Sequence, residues 1–296
     1  MGPRVVALGG GHGLAVALRA IREYAGEITA IVGVADDGGS SGRLRRDLDV
    51  PAPGDLRRCL VALARDETAP WPAAFEHRFR SGELADHALG NLVIVGLAET
   101  LGDLTAALDE AATLLGCVGR VLPATCGPVS MTARVGDGRV AGQVAIAAAG
   151  VHDRIRDVCL DPTDAAASRE ALAAIARADQ IVLAPGSLYT SIVAVLSVPD
   201  LRSAIGQAPA RAGVVQIANL ETENETTGLD GTDHLAAITE HGTRVDVFLF
   251  DPDRGLPVDP AVVAALGARP VGAPIADAGG TGHDPQQLAK ALSALL

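Results

Sequence analysis

Apolar residues cluster first at Val5-Val6-Ala7-Leu8, a short continuous run that ends in Gly9-Gly10-Gly11-His12-Gly13. From Leu14 to Tyr24 the spacing changes: Leu14, Leu18 and Ile21 fall on one side of a 3.6-residue repeat. A second apolar run, Ile28–Val34, follows. Strand, glycine turn, helix, strand is a βαβ half-unit, and a helical crossover makes its strands parallel.

The middle of the chain has another rhythm. Helical spacing is predicted from Asp55 to Leu63, from His87 to Leu101 and from Asp103 to Leu115. Short β-like runs come next, at Arg120–Leu122, Val129–Val135 and Arg139–Ala147, the last two joined by a hairpin turn at Gly136-Asp137-Gly138. This stretch, approximately 40–178, is expected to be an inserted α+β subdomain. Strands at Gln180–Ala184, Gly213–Ala218, Arg244–Phe250 and Pro270–Ile275 then alternate with helices, and Asp284 opens the last one. The expected fold is α/β: one domain over 1–296, with a mostly parallel sheet and helices on both faces.

Composition narrows the function. Hydrophobic residues make up 48% of the chain and aromatic residues only 2%, so the core is aliphatic. A formal charge of −12 argues against a nucleic-acid partner, which needs a basic face. It leaves room for a nucleotide-sized ligand, which needs only a few arginines. The four cysteines include no C-x-x-C pair and read as buried small hydrophobes of a reducing compartment. The sequence reaches its first strand by Val5 without a basic-then-apolar leader, and no apolar run is long enough to span a bilayer. No membrane is expected, and the expected location is cytoplasmic.

The candidate chemistry sits in loops after strands, where open α/β sheets bind ligands. Gly10, Gly11, His12 and Gly13 form a turn that admits close backbone approach and opens a helix, a setting for phosphate. It lacks the third glycine of the dinucleotide fingerprint, because Leu14 stands there. A tight strand–helix turn is the plainer reading. Val34-Ala35-Asp36-Asp37-Gly38-Gly39-Ser40-Ser41-Gly42-Arg43-Leu44-Arg45 combines two carboxylates, small donors and arginines. Asp36 and Asp37 lie where an acid binds ribose, and Ser40, Ser41, Arg43 and Arg45 suit phosphate. A solvated turn is the alternative. Asp55 reads as a helix N-cap, a ligand contact, or both. Arg57 and Arg58 oppose the dipole of that helix and hint at an anion nearby. Asn91 either hydrogen-bonds within the core or faces the ligand.

A second strand–turn–helix loop offers Gly186, Ser187, Thr190 and Ser191, again suited to phosphate or to plain capping. Asn219 follows a strand and is a candidate ligand contact, whereas Glu221, Glu223 and Glu225 read as a solvated loop. Neither a P-loop nor a G-x-S-x-G elbow is present.

Taken together, these loops resemble the YvcK/CofD-like family, in its gluconeogenesis-factor branch. The strings that carry the resemblance are Gly9–Leu14, Val34–Arg45, Pro53-Gly54-Asp55-Leu56-Arg57, Gly90-Asn91-Leu92, Pro185–Ser191 and Asn219-Leu220. The Asp-Asp-Gly-Gly-Ser-Ser-Gly-Arg string is the specific one. His12-Gly13 and His283-Asp284-Pro285 are similar to actinobacterial members. The resemblance implies a Rossmann-like fold with an inserted subdomain. It also implies a UDP-sugar ligand, notably UDP-N-acetylglucosamine, and a regulatory role in cell shape and peptidoglycan synthesis on gluconeogenic carbon sources. A sister branch transfers a phospholactyl group to a deazaflavin with magnesium. The rival expectation is therefore a Mg2+-dependent transferase with Asp36 and Asp37 as metal ligands. A homo-oligomer stays open. The family's Pro-Gly after Asn219 is missing from Glu221-Thr222-Glu223-Asn224-Glu225-Thr226, and the chain ends at Leu296, where some relatives carry a regulatory tail.

Overall fold

The computed structural model describes residues 2–296. Among them are ten strands: β1 (Arg4–Gly9), β2 (Glu27–Val32), β3 (Arg120–Pro123), β4 (Ser130–Val135), β5 (Gly138–Ala141), β6 (Ile155–Asp161), β7 (Gln180–Leu183), β8 (Gly213–Ile217), β9 (Val247–Phe250) and β10 (Arg269–Gly272). Seven build one sheet in the order β10-β9-β8-β7-β1-β2-β3, and every neighbouring pair in it is parallel. The other three form a small antiparallel sheet, β5-β4-β6.

All four residues of β7 are buried, as are Val5 to Gly9 of β1. Successive strand residues point to opposite faces, so helices must cover both sides of the sheet. The Gly11–Ile21 helix packs on the Gly54–Leu63 and Pro285–Ser293 helices, and Arg169–Arg177 packs on β1 and β2. Among the described residues no single helix is long and apolar enough to cross a membrane.

The expected βαβ opening, the hairpin at Gly136 and the resumed α/β rhythm are all present. Two local readings are corrected. Arg139–Ala147 is not one strand: it breaks at Gly142 (φ +93°), and Gln143–Ala149 is a helix. Alanines favour that helix, and Asp37 Oδ1 accepts the Val144 amide at 3.0 Å near its first turn. The loop after Asp36 also turns helical early, at Gly39, and continues to Leu48. Within the stretch 40–178, β3 joins the main sheet by pairing with β2, while β4, β5 and β6 stand apart.

Candidate functional site

The order of the main sheet reverses between β1 and β7. Chain order runs outward from β1 through β2 and β3 on one side, and from β7 through β10 on the other. At such a point the loops beyond the strand ends diverge and leave a crevice. The loops that leave β1 and β7 are the two glycine loops. They touch: a Cβ built on Gly13 would overlap the carbonyl oxygen of Pro185. Only glycine lets the chain pass this close.

The crevice gathers Gly10, Asp36, Asp55, Thr190 and Ser191 around a cavity of about 20 Å³. That volume holds about one water molecule. Beside it, sharing Val129, lies an open groove of about 430 Å³ lined by Asp37, Arg45, Arg46, Ser130 and Asp161. Asp36 and Asp37, adjacent in sequence, thus face different spaces.

Asp55 does not cap its own helix. That helix starts at Gly54 with Pro53 in the capping position, and Asp55 reaches across to accept the Gly11 amide at 2.6 Å. Its other oxygen accepts from Arg58 at 2.6 Å. The anion hinted at by the two arginines is therefore internal: Arg58 meets Asp55, and Arg57 pairs with Glu76. His12 is exposed beside this pair, and partial desolvation, then Arg58, lowers its pKa.

Asp36 Oδ1 accepts the Gly38 amide at 2.9 Å, closing a local turn. Burial raises the pKa of its carboxyl, and Asp55 adds to the rise. The Gly38 amide, the Ser41 hydroxyl and Arg58 pull the other way. Desolvation disfavours the charged form, and a neighbouring carboxylate does the same.

Several candidates from the sequence make hydrogen bonds within the scaffold. The Asn91 side chain is fully inside: Arg57 Nε donates to its oxygen at 3.1 Å, and its Nδ2 donates to Ser40 Oγ at 3.1 Å. Ser40 also lies 3.0 Å from His87 Nδ1, which completes a buried polar network. Asn91 thus makes the core hydrogen bonds that one of its two readings expected. Arg43 donates to the Ala85 carbonyl at 2.7 Å. Arg45 braces the Ala35 and Val129 carbonyls and Ser130, and still borders the groove.

Asn219 is committed to the second loop. Its oxygen accepts the Gly186 amide at 2.9 Å, and its nitrogen donates to the Gly186 carbonyl at 2.8 Å. Ser187 donates to Glu223. Glu225 is not solvated as the sequence suggested: it is 4% exposed and accepts the amides of Tyr189 at 2.8 Å and Thr190 at 3.2 Å. The departure from the family's Pro-Gly pattern therefore falls in a strap over the second loop. Sequence reasoning also missed Gln143, whose amide lies 3.3 Å from the Thr190 carbonyl and ties the Gln143–Ala149 helix to the crevice. No local signal marks either contact.

Comparison with known proteins gives the family. The family described as 2-phospho-L-lactate transferase CofD matches residues 5–266. The chain belongs to the CofD family. A relative of this CofD-family chain in Halalkalibacterium halodurans, named gluconeogenesis factor, is 46% identical over 240 residues. That alignment covers 80% of this chain and 73% of the relative. A Deinococcus radiodurans relative, provisionally given the same name, is 41% identical over 99% of this chain, which spans 66% of that protein's length. A solved structure of a UPF0052 family member from Bacillus halodurans superposes with a TM-score of 0.92 at 36% identity, covering 99% of both chains. The CofD-family fold thus holds over nearly the whole chain.

Proposed function

We propose that this chain is a regulatory gluconeogenesis factor that binds a nucleotide-diphosphate sugar, UDP-N-acetylglucosamine first among them, at the β1–β7 switch point. The observation that carries this reading is the meeting of the two glycine loops at the reversal of strand order, with Asp36 beside them. The diphosphate lies at the loops, and Asp36 accepts from a ribose or sugar hydroxyl. The bulk of the ligand occupies the groove of about 430 Å³, a volume within the range of small-molecule sites. Arg45 and Arg46 supply that groove's cations, beside Asp37, Asp49 and Asp161. The relatives' names support a role in growth on gluconeogenic carbon, exercised through cell shape and peptidoglycan synthesis.

Calorimetric titration with UDP-N-acetylglucosamine tests the reading. Saturable binding that weakens in Asp36→Ala is the expected result; no heat at millimolar ligand overturns it.

The transferase described for the family keeps a second reading alive. Asp36, which lines the cavity, and Asp37, which lines the groove, are the Mg2+ ligands that this reading would use. Among the described residues no three His, Cys, Asp or Glu side chains gather as metal ligands. Labelled UDP-sugar recovered intact after long incubation with Mg2+ counts against catalysis; a released product establishes it.

A further inference from the structure

Ser40 and Ser41 stand side by side in the first turn of the Gly39–Leu48 helix and serve different partners. Ser41 hydrogen-bonds the Asp36 carboxyl. Gly54 lies against both: a Cβ there would overlap Ser41 Oγ and sit 3.7 Å from Asp36 Oδ2. Ser40 turns instead to Asn91 and His87, in the buried network that leads to Arg57.

The direction of that network is dictated at the arginine. A guanidinium only donates, so the Asn91 atom 3.1 Å from Arg57 Nε is its oxygen. The Asn91 nitrogen then donates to Ser40 Oγ. Among the described residues Ser40 Oγ has one further partner, His87 Nδ1, so its single hydrogen goes there. His87 Nδ1 is therefore an acceptor, and the ring carries its proton on Nε2. Beyond Arg57 the relay is anchored by Glu76. It ties together the helices Gly39–Leu48, Gly54–Leu63 and Leu89–Leu101.

We infer that His87 is a positioning residue of the ligand site: by accepting the Ser40 hydroxyl it fixes the helical turn from which Ser41 holds Asp36. The inference rests on the reading of the crevice as the ligand site and adds a residue that lines neither the cavity nor the groove. A side chain at 87 without an acceptor leaves a buried hydroxyl unpaired. Ser40 regains a partner only if its turn shifts, and the Ser41 bond to Asp36 shifts with it. A ligand whose binding-competent arrangement is populated less often binds more weakly by that fraction.

The test compares two substitutions. His87→Leu removes the acceptor, and His87→Asn returns an acceptor oxygen on a short side chain. The Kd for UDP-N-acetylglucosamine should rise about tenfold in His87→Leu, the weight of one hydrogen bond, and come back to within about twofold of wild type in His87→Asn. A purely structural role lowers the melting temperature and leaves the Kd alone, so a folded His87→Leu with wild-type affinity overturns the assignment. Hydrogen exchange on the free protein reads the same turn without any nucleotide. Amides of residues 38–44 should exchange faster in His87→Leu and at the wild-type rate in His87→Asn; unchanged rates in both overturn the assignment. If exchange behaves as expected while the wild type binds no UDP-N-acetylglucosamine, the nucleotide-sugar reading fails and His87 still positions the turn. If His87→Leu does not fold, 15N NMR of the wild-type ring decides: an unprotonated Nδ1 at neutral pH is expected, and a proton on Nδ1 overturns the assignment.

Discussion

Gly13 lies directly against the carbonyl oxygen of Pro185, so the two glycine loops share one contact with no space for a side chain. Gly13 is also inside the Gly11–Ile21 helix, where alanine would gain up to about 1 kcal/mol from helix propensity. The overlap with rigid backbone outweighs that gain, since overpacking costs roughly 1–3 kcal/mol. Gly13→Ala is expected to lower the melting temperature and weaken UDP-N-acetylglucosamine binding in calorimetry. Gly96→Ala is the matched control: it sits mid-helix with nothing near its Cβ and should stabilise by about 0.5–1 kcal/mol. If both variants gain stability, the loop contact is not tight.

Asn219 answers both polar atoms of Gly186 with one amide group. Asn219→Asp keeps the acceptor but sets a carboxylate oxygen against the Gly186 carbonyl, at a cost of about 1–3 kcal/mol. Hydrogen exchange should quicken over residues 186–196 and stay unchanged in β9. Unaltered exchange there would mean that the clamp contributes nothing to the loop.

These two contacts divide what the sequence shows from what it hides. The loops themselves were legible, because a glycine-rich turn between an apolar run and a helical repeat has a local signature. So was the strand alternation that predicts the parallel sheet. The partners were not. Glu225 reads as one acid in a polar run because the amides it serves lie 36 and 35 residues away. The Gln143 helix reads as a strand continuing through Val144 and Ile146, because the carboxylate that bonds its first turn comes from Asp37, 107 residues earlier. Asn91 left equal local evidence for ligand or core, and its hydrogen bond with Arg57, 1% exposed, is visible only in three dimensions.

Asp36 carries a charge in a place that resists it. Because folding raises its pKa, the unfolded chain ionises first as pH rises. Stability from this group is therefore full below the ordinary aspartate range and is lost as pH climbs towards the folded pKa. Asp36→Asn should remove that loss, so the variant melts higher than wild type at neutral pH. Ligand binding should weaken in the same variant, since an amide accepts less strongly than a carboxylate. A variant both less stable and equally competent in binding would show Asp36 to be structural only.

His234 gives the opposite slope. It is 2% exposed, its Nε2 has no partner, and burial pushes its pKa down to about 4, against the pull of Asp233 and Asp230. The unfolded chain takes up this proton near pH 6.5, the folded chain only near 4. Stability should therefore fall as pH drops through that window, by up to about 3 kcal/mol from this residue. Urea titrations at pH 7.5 and pH 5 measure the difference, and His234→Leu should flatten it. An equal slope in the variant would assign the acid sensitivity elsewhere.

Asp37 separates a scaffold role from a catalytic one. Its Oδ1 accepts the Val144 amide at 3.0 Å, and its Oδ2 lies against Gly142, which has no side chain to exclude it. The bond satisfies an otherwise free donor in the first turn of the Gln143–Ala149 helix, and losing such a bond costs about 0.5–2 kcal/mol. Asp37→Ala should therefore lower stability by that amount and loosen the helix that Gln143 ties to Thr190. Asp37→Asn keeps an acceptor oxygen for Val144 and should recover most of the loss. A metal ligand or general base would behave differently, because asparagine supplies neither the charge nor the basicity. Binding and any turnover in Asp37→Asn close to wild type would then place this carboxylate in the frame of the site. Equal damage in both variants would return it to the chemistry.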